Sequence, residues 1–214
     1  MAKLLSGKEV AAALREASAA QSAALSARGV VPTLAIVRVG ERPDDVAYEA
    51  GAAKRCENLG VAVRSFRFPE TVSQAALLAC LDEINGDAGI HGCLLLRPLP
   101  KHLDGALLGD SLLSEKDVDG ITDGSLAGVF TGAGRGYPPC TAQACMEILD
   151  YYNIDVSGKR VAVVGRSLVV GRPVAMLLLA RNATVTICHT GTVDRVKPAR
   201  QCSSRRWYGE IVSP

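Results

Sequence analysis

The chain has 214 residues, 48% of them hydrophobic and only 4% aromatic, and a formal net charge of +2. That length allows one large domain or two small ones, and so bland a charge argues for neither nucleic acid nor a membrane as an obligate partner. An aliphatic core suits Val/Ile/Leu-rich parallel strands covered by Ala-rich helices better than it suits a β-sandwich. The opening MAKLLSGKEV lacks the long apolar stretch of a secretory signal, and no apolar run reaches the length of a membrane span. The seven cysteines are scattered, odd in number and never spaced as CxxC, so neither a disulfide framework nor a zinc site is expected, and a reduced, cytoplasmic enzyme is.

In chain order, residues 7–29 read as an Ala-rich helix ending at Gly29, and TLAIVRV, 33–39, as a strand between Pro32 and Gly40. Residues 44–60 read as a helix that Asp44 or Asp45 can cap and Gly60 can end. A strand at 61–68, a helix at 73–85 capped by Ser73, and a strand at 90–96 follow. The stretch 101–136 is rich in Asp and Gly and is expected to be irregular. A helix over 141–152, capped by Thr141, leads to a strand at 160–165, a helix at about 170–181 and a strand at 183–188. Alternating strands and helices imply parallel βαβ units, so the predicted fold class is α/β in two units with a boundary near 140–158. The tail from 191 has no period of either kind and is mostly polar and basic. It reads as a solvated, disordered end rather than as a nucleic-acid patch.

VAVVGRSLVVGRPVAMLLLA, 161–180, joins an apolar strand to an apolar helix through Gly165, Arg166 and Ser167. Such a turn aims backbone N–H groups at the positive end of a helix and can hold an anion. Pro173 is tolerated in the first helical turn. GRSLVVG is not GxGxxG, so a tight connection with glycines for packing alone stays open.

VVGRSLVVGRPVAMLL resembles the cofactor turn of the bifunctional methylenetetrahydrofolate dehydrogenase/cyclohydrolase (FolD) family. PTLAIVRVGERPDDVAYEAGAAKRCENLG, GCLLLRPLPKHLD, SEKDVDGIT, PPCTAQACMEIL and VTICHT resemble further blocks of it, in family order, over about residues 4–190. The resemblance implies an N-terminal three-layer α/β folate domain over 1–140 and an incomplete Rossmann-like NAD(P) domain over 141–190, with 191–214 as an aberrant tail. It implies NADP, with NAD possible, a tetrahydrofolate one-carbon substrate, and the homodimeric state common in the family. It also implies further strands, a P-G-G-V-G-P loop and a closing helix beyond Thr190. This chain has instead a change of texture of the kind a shifted reading frame leaves.

The site residues follow from the same resemblance. Tyr48 falls at the substrate-stacking tyrosine, and Asp119 at the carboxylate that bonds the pterin; Leu95, Leu96 and Arg97 fall in the substrate block. Gly165, Arg166, Ser167 and Thr190 fall at the cofactor positions, with His189 beside them. Arg166 is the group suited to a 2′-phosphate. Asp117 serves the loop, Cys140 is not a nucleophile, and Lys116, His91 and His102 read as surface groups.

Two family residues are replaced. The catalytic lysine four positions beyond Tyr48 is Ala52, and the glutamine that partners it is Leu96, followed by Arg97 where the family has leucine. Lys54 points away from Tyr48, and Arg55, two turns on, stays charged and is a poor proton shuttle. Either the whole site has decayed to a non-catalytic remnant, or only the hydrolytic step is lost and hydride transfer remains. Arg97 can meet the folate's glutamate tail, meet a cofactor phosphate, or be a plain solvated charge.

Overall fold

The computed structural model describes residues 5–193. Its order is α1 (Gly7–Ala27), β1 (Thr33–Val39), α2 (Pro43–Asn58), β2 (Ala62–Phe68), α3 (Gln74–Gly86), β3 (Gly92–Leu95), α4 (Gly105–Ser111), α5 (Asp123–Thr131), α6 (Cys140–Tyr151), β4 (Arg160–Val164), α7 (Gly171–Ala180) and β5 (Thr184–Cys188). The fold is α/β, as expected. β1 lies between β2 and β3 in one parallel sheet, with Thr33 opposite Ala62 and Leu34 opposite Gly92. β4 and β5 form a second parallel pair.

Side chains alternate across a strand, and β1 uses both faces. Ala35, Val37 and Val39 face a core of Leu77, Leu81 and Ile84 from α3, closed by Cys93, Leu95, Leu103, Leu108 and Leu112. Each fully buried Leu or Ile there contributes about 1.5–3 kcal/mol. Arg38 points the other way, towards α2, so the first sheet is sandwiched between α2 and α3 in three layers. A second core joins Ala142 and Met146 of α6 to Val174 and Leu178 of α7 and to Val156 and Ala183. The Tyr152 hydroxyl accepts from Ser6 N at 2.9 Å, tying the start of α1 to the end of α6.

Four sequence expectations need correction. The stretch 101–136 holds α4 and α5, both short and glycine-bearing. Asp104 caps α4 through Ala106 N and Leu107 N, and Thr122 caps α5 through Ser125 N. Propensity disfavours both helices; packing overrides it, since a Cβ on Gly128 would collide with the Arg135 carbonyl. Neither Asp44 nor Asp45 caps α2, which opens with Arg42 at the cap and Pro43 at N1, nor does Thr141 cap α6, which opens one residue earlier behind an extended Pro139. Lys116 is half-buried: its Nζ donates to Ile84 O at 2.6 Å and Asp87 O at 2.7 Å, closing the C-terminal end of α3. By contrast, Ser73 caps α3 and Pro173 sits in the first turn of α7, as the sequence predicts. The expected disordered tail lies outside the described residues from 194 onward.

The central polar feature is Glu49, 3% exposed, which accepts from Arg38 Nε at 2.6 Å and Arg67 Nε at 2.9 Å. Arg38, 6% exposed, also donates to Gly40 O. α2 is thus bolted to β1 and β2 through one carboxylate. Burial pushes the Glu49 carboxyl up, but hydrogen bonds from Ser65, Arg38 and Arg67 and the Arg67 charge outweigh it and hold it below its ordinary 4.5. A carboxyl depressed on folding stabilises fully above its unfolded value, and that stability is lost as pH falls through the folded one. Denaturant melts from pH 7 to pH 3 are therefore expected to show stability falling from about pH 4.5 downward, with a shallower fall in Glu49→Gln. Glu49→Ala, which strands Arg38, is expected to cost about 3–5 kcal/mol at neutral pH.

Candidate functional site

The carboxyl ends of parallel strands are where open α/β sheets bind ligands, and the polar residues singled out by the sequence gather there. α2 starts just after β1 and runs back along the sheet. Glu49 faces inward, so its neighbour Tyr48 is turned out, 55% exposed, roughly 7 Å along the axis from the helix start at 1.5 Å per residue. Its phenol makes no hydrogen bond among the described residues, leaving ring and hydroxyl free for a ligand. Ala52, one turn further, is half-buried. Leu96 follows β3 directly, bonds Val37 O through its N–H at 2.9 Å and is only 8% exposed. The Leu95 side chain, expected at the substrate, is 2% exposed inside the α3 core and cannot reach a ligand, because strand alternation sends it inward.

The loop 116–120 runs beside β3, where Cys93 N donates to Lys116 O at 2.6 Å and Val118 would collide with any Cβ on Gly92. Asp117, fully buried, accepts from Ile121 N, Thr122 N and Ser125 Oγ at 3.1, 2.8 and 2.7 Å, and so serves the loop as expected. That leaves Asp119 at the surface of the loop. Its Oδ2 lies 3.8 Å from Arg97 Nη2, and Cys140 at the start of α6 stands beside it, with Sγ 3.3 Å from Val118 O. Desolvation by burial raises the Asp119 carboxyl, and Arg97 lowers it; Asp117 raises it, and a hydrogen bond with Cys140 lowers it, with a net rise. Arg42 Nη1 donates to Pro98 O at 3.3 Å, joining the corner after Arg97 to the start of α2.

Two cavities lie near Arg97 and the loop that carries Asp119. One, about 490 Å³, is lined by Val118, Tyr137, Pro138 and Cys140, among others. The other, about 450 Å³, is lined by Arg97, Lys101, Asp110 and Asp123, among others. Tyr48 lines neither. The structure thus joins Arg97, Asp119 and the start of α2, and leaves Tyr48 exposed on that helix.

Lys54 pairs with Glu57 at 2.8 Å on the exposed side of α2. Arg55 leans back along the helix, as helical side chains do, until its guanidinium lies 3.8 Å from where a Gly51 Cβ would be. It is one turn nearer to Tyr48 than its sequence position suggests.

In the second unit, Gly165 follows β4 with φ +133°, and its N–H bonds Cys188 O at 2.8 Å. A Cβ on Gly171 would collide with the Gly165 carbonyl, so the helix start is pressed onto the turn. Ser167 Oγ accepts from Val170 N at 3.1 Å and Gly171 N at 3.4 Å, which leaves its hydroxyl hydrogen to donate. Arg166 is exposed and makes no ion pair among the described residues. An unpaired guanidinium, a hydroxyl donor and a glycine cradle fit a phosphate. Thr190 is exposed just past β5, in a turn that His189 closes by accepting from Gly191 N at 3.0 Å.

The sequence reading missed Glu49, Arg38 and Arg42. An arginine within an apolar strand was the available signal, since a buried charge demands a partner.

Parallel sheets with polar groups at their carboxyl ends and a glycine-cradled anion turn define a two-unit α/β protein of the nucleotide-binding kind. The family described as tetrahydrofolate dehydrogenase/cyclohydrolase, catalytic domain, matches residues 5–119, and its NAD(P)-binding domain matches residues 139–203. The bifunctional protein FolD of Carboxydothermus hydrogenoformans is 50% identical over 192 residues, which cover 90% of this chain and 67% of that protein. That of Alkaliphilus oremlandii is 44% identical over 194 residues, covering 91% and 68%. A crystal structure of the bifunctional FolD enzyme of Campylobacter jejuni superposes with a TM-score of 0.86 at 36% identity, over 91% of this chain and 69% of that one. The Trypanosoma brucei dehydrogenase-cyclohydrolase, solved with NADP cofactor and an inhibitor, superposes at 0.80 with 31% identity, over 90% and 66%. The chain therefore belongs to the tetrahydrofolate dehydrogenase/cyclohydrolase family, and spans about two thirds of the length of these relatives.

Gly120, at φ +67°, ties this site together: a Cβ there would stand 2.5 Å from Pro139 N and 2.6 Å from Tyr137 O. Gly120→Ala is expected to lower stability by about 1–3 kcal/mol in denaturant melts through overpacking and backbone strain.

Proposed function

We propose that this chain oxidises 5,10-methylenetetrahydrofolate to 5,10-methenyltetrahydrofolate, with NADP as the hydride acceptor, and does not hydrolyse the methenyl product. The observation that carries the second half is the pair Ala52 and Leu96: a methyl group one turn beyond Tyr48, and a buried isobutyl group at the end of β3. Hydrolysis of the methenyl cation to 10-formyltetrahydrofolate takes a proton from the attacking water and delivers one to the departing ring nitrogen. Neither residue can do either. Lys54 is held by Glu57, and Arg55 stays protonated. Hydride transfer needs no such shuttle, because the substrate's own nitrogen lone pair drives the hydride out once the reactants are aligned.

NADP, when bound, supplies the oxidised nicotinamide that takes the hydride. The chain's residues do the rest. Arg166 and Ser167 hold the phosphates, Arg166 being the group that favours the 2′-phosphate of NADP over NAD. Tyr48 offers its ring to the pterin face, and the Asp119 carboxylate accepts from the pterin's N–H donors. The division into a folate domain up to about residue 140 and a cofactor domain beyond it is part of the same reading. It is supported by the two separate apolar cores. A cytoplasmic setting and a homodimer belong to it too and rest on the family resemblance; no helix among the described residues is long and apolar enough to cross a membrane.

Purified chain with methylenetetrahydrofolate and NADP is expected to build up methenyl absorbance. A flat trace would favour the non-catalytic remnant instead. Supplied with the methenyl compound alone, the chain is expected to leave its decay at the uncatalysed rate, and any faster decay overturns the reading of Ala52 and Leu96. The double variant Ala52→Lys, Leu96→Gln is expected to accelerate that decay. Asp119→Asn is expected to lower kcat/KM of the oxidation by about 10- to 100-fold, the loss of one or two hydrogen bonds to a charged acceptor.

A further inference from the structure

We propose that Arg97 is a positioning residue for substrate selection: its guanidinium engages Oδ2 of Asp119, so that Oδ1 is the acceptor presented to the pterin's N–H donors. This rests on the function proposed above and gives Arg97 a task different from the folate-tail contact, cofactor-phosphate contact or solvated charge that its sequence position suggests.

Four segments converge on the pair. Arg97 leaves the end of β3, and the next carbonyl, Pro98 O, is held by Arg42 Nη1 from the start of α2 at 3.3 Å. Asp119 rides on a loop locked by the three hydrogen bonds to Asp117 and by Gly120 pressed against Tyr137–Pro139. Cys140 approaches from the first turn of α6. Arg97 lines one nearby cavity, and Val118 and Cys140 line another.

An ion pair at 3.8 Å between partners 40% and 33% exposed contributes little to folding stability. Its effect falls on the state and orientation of the carboxyl. The charged and titratable groups facing Asp119 are Arg97 from β3, Asp117 from its own loop and Cys140 from α6. Burial and Asp117 push its proton affinity up, whereas Arg97 and the Cys140 hydrogen bond pull it down. Asp117 is fixed by its three donors and cannot move aside. Without Arg97 the carboxyl gains a proton at higher pH and loses the charge that orients it. A leucine in this position would leave that work undone.

The test uses the full chain as wild type, Arg97→Leu and Arg97→Lys. The Asp119 side-chain carboxyl is followed by 13C NMR without ligand, its resonance identified by its loss in Asp119→Asn. The titration midpoint is expected to rise in Arg97→Leu and to stay near wild type in Arg97→Lys. With tetrahydrofolate as probe, Arg97→Leu is expected to weaken binding about 3- to 10-fold at pH 7, and further as pH falls, with partial rescue by lysine. In the oxidation assay KM is expected to rise by a similar factor with kcat held within about twofold. An unmoved midpoint in Arg97→Leu, or a loss confined to kcat, overturns the assignment. If the wild type shows no turnover, the proposed reaction falls, while the NMR and binding arms still decide the role of Arg97.

Discussion

Glu49 is the point on which the arrangement of the folate-side residues turns. A carboxylate 3% exposed between a helix and a sheet survives only because Arg38 from β1 and Arg67 from β2 both reach it. Two strands and one helix are thereby locked in rotation as well as position. Tyr48 is the adjacent residue, about 100° round the helix, so the inward grip on Glu49 decides that the phenol faces out. Ala52 follows from the same constraint, one turn behind. An apolar helix face could slide or roll on the sheet at little cost; a forked pair of guanidinium bonds cannot.

The stretch from 114 to 136, α5 included, plays the corresponding part for Asp119. It is organised by close backbone approach and by one buried acid. Asp117 gathers two backbone N–H groups and a serine hydroxyl, while Gly120, Gly128 and Gly136 admit neighbouring chain where no Cβ fits. The neighbouring aspartates thus divide their work: Asp117 is consumed in holding the loop, and Asp119 is left partly exposed between Arg97 and Cys140. On the proposed function, a polar group at Asp119 and apolar groups at Ala52 and Leu96 separate hydride transfer from hydrolysis in chemical terms, since only the second depends on moving protons.

The cofactor side follows a different physical rule. There, position comes from the pressing together of Gly165 and Gly171, which aims the start of α7 at the turn, and Arg166 stands exposed beside it with no ion pair among the described residues. The same strand–turn–helix unit presents Thr190 at the end of the neighbouring strand, because β4 and β5 run parallel and end together.

Hydrophobic period and glycine placement determined much of this by themselves. β1 is legible as TLAIVRV to the residue, α3 with its Ser73 cap, and the glycine turn after β4, because each is written in local chemistry over a few neighbouring positions. That positions 52 and 96 carry no proton-shuttling group is equally local, being a matter of residue identity. What tertiary structure alone decided are the long-range meetings: Glu49 with Arg38 and Arg67, Arg97 with Asp119, Lys116 on the last turn of α3. The helices α4 and α5 belong with them, since glycine-bearing segments that short gain their stability from packing. A charge in a sequence shows only that it needs a partner; which partner it finds depends on how the strands and helices are laid together.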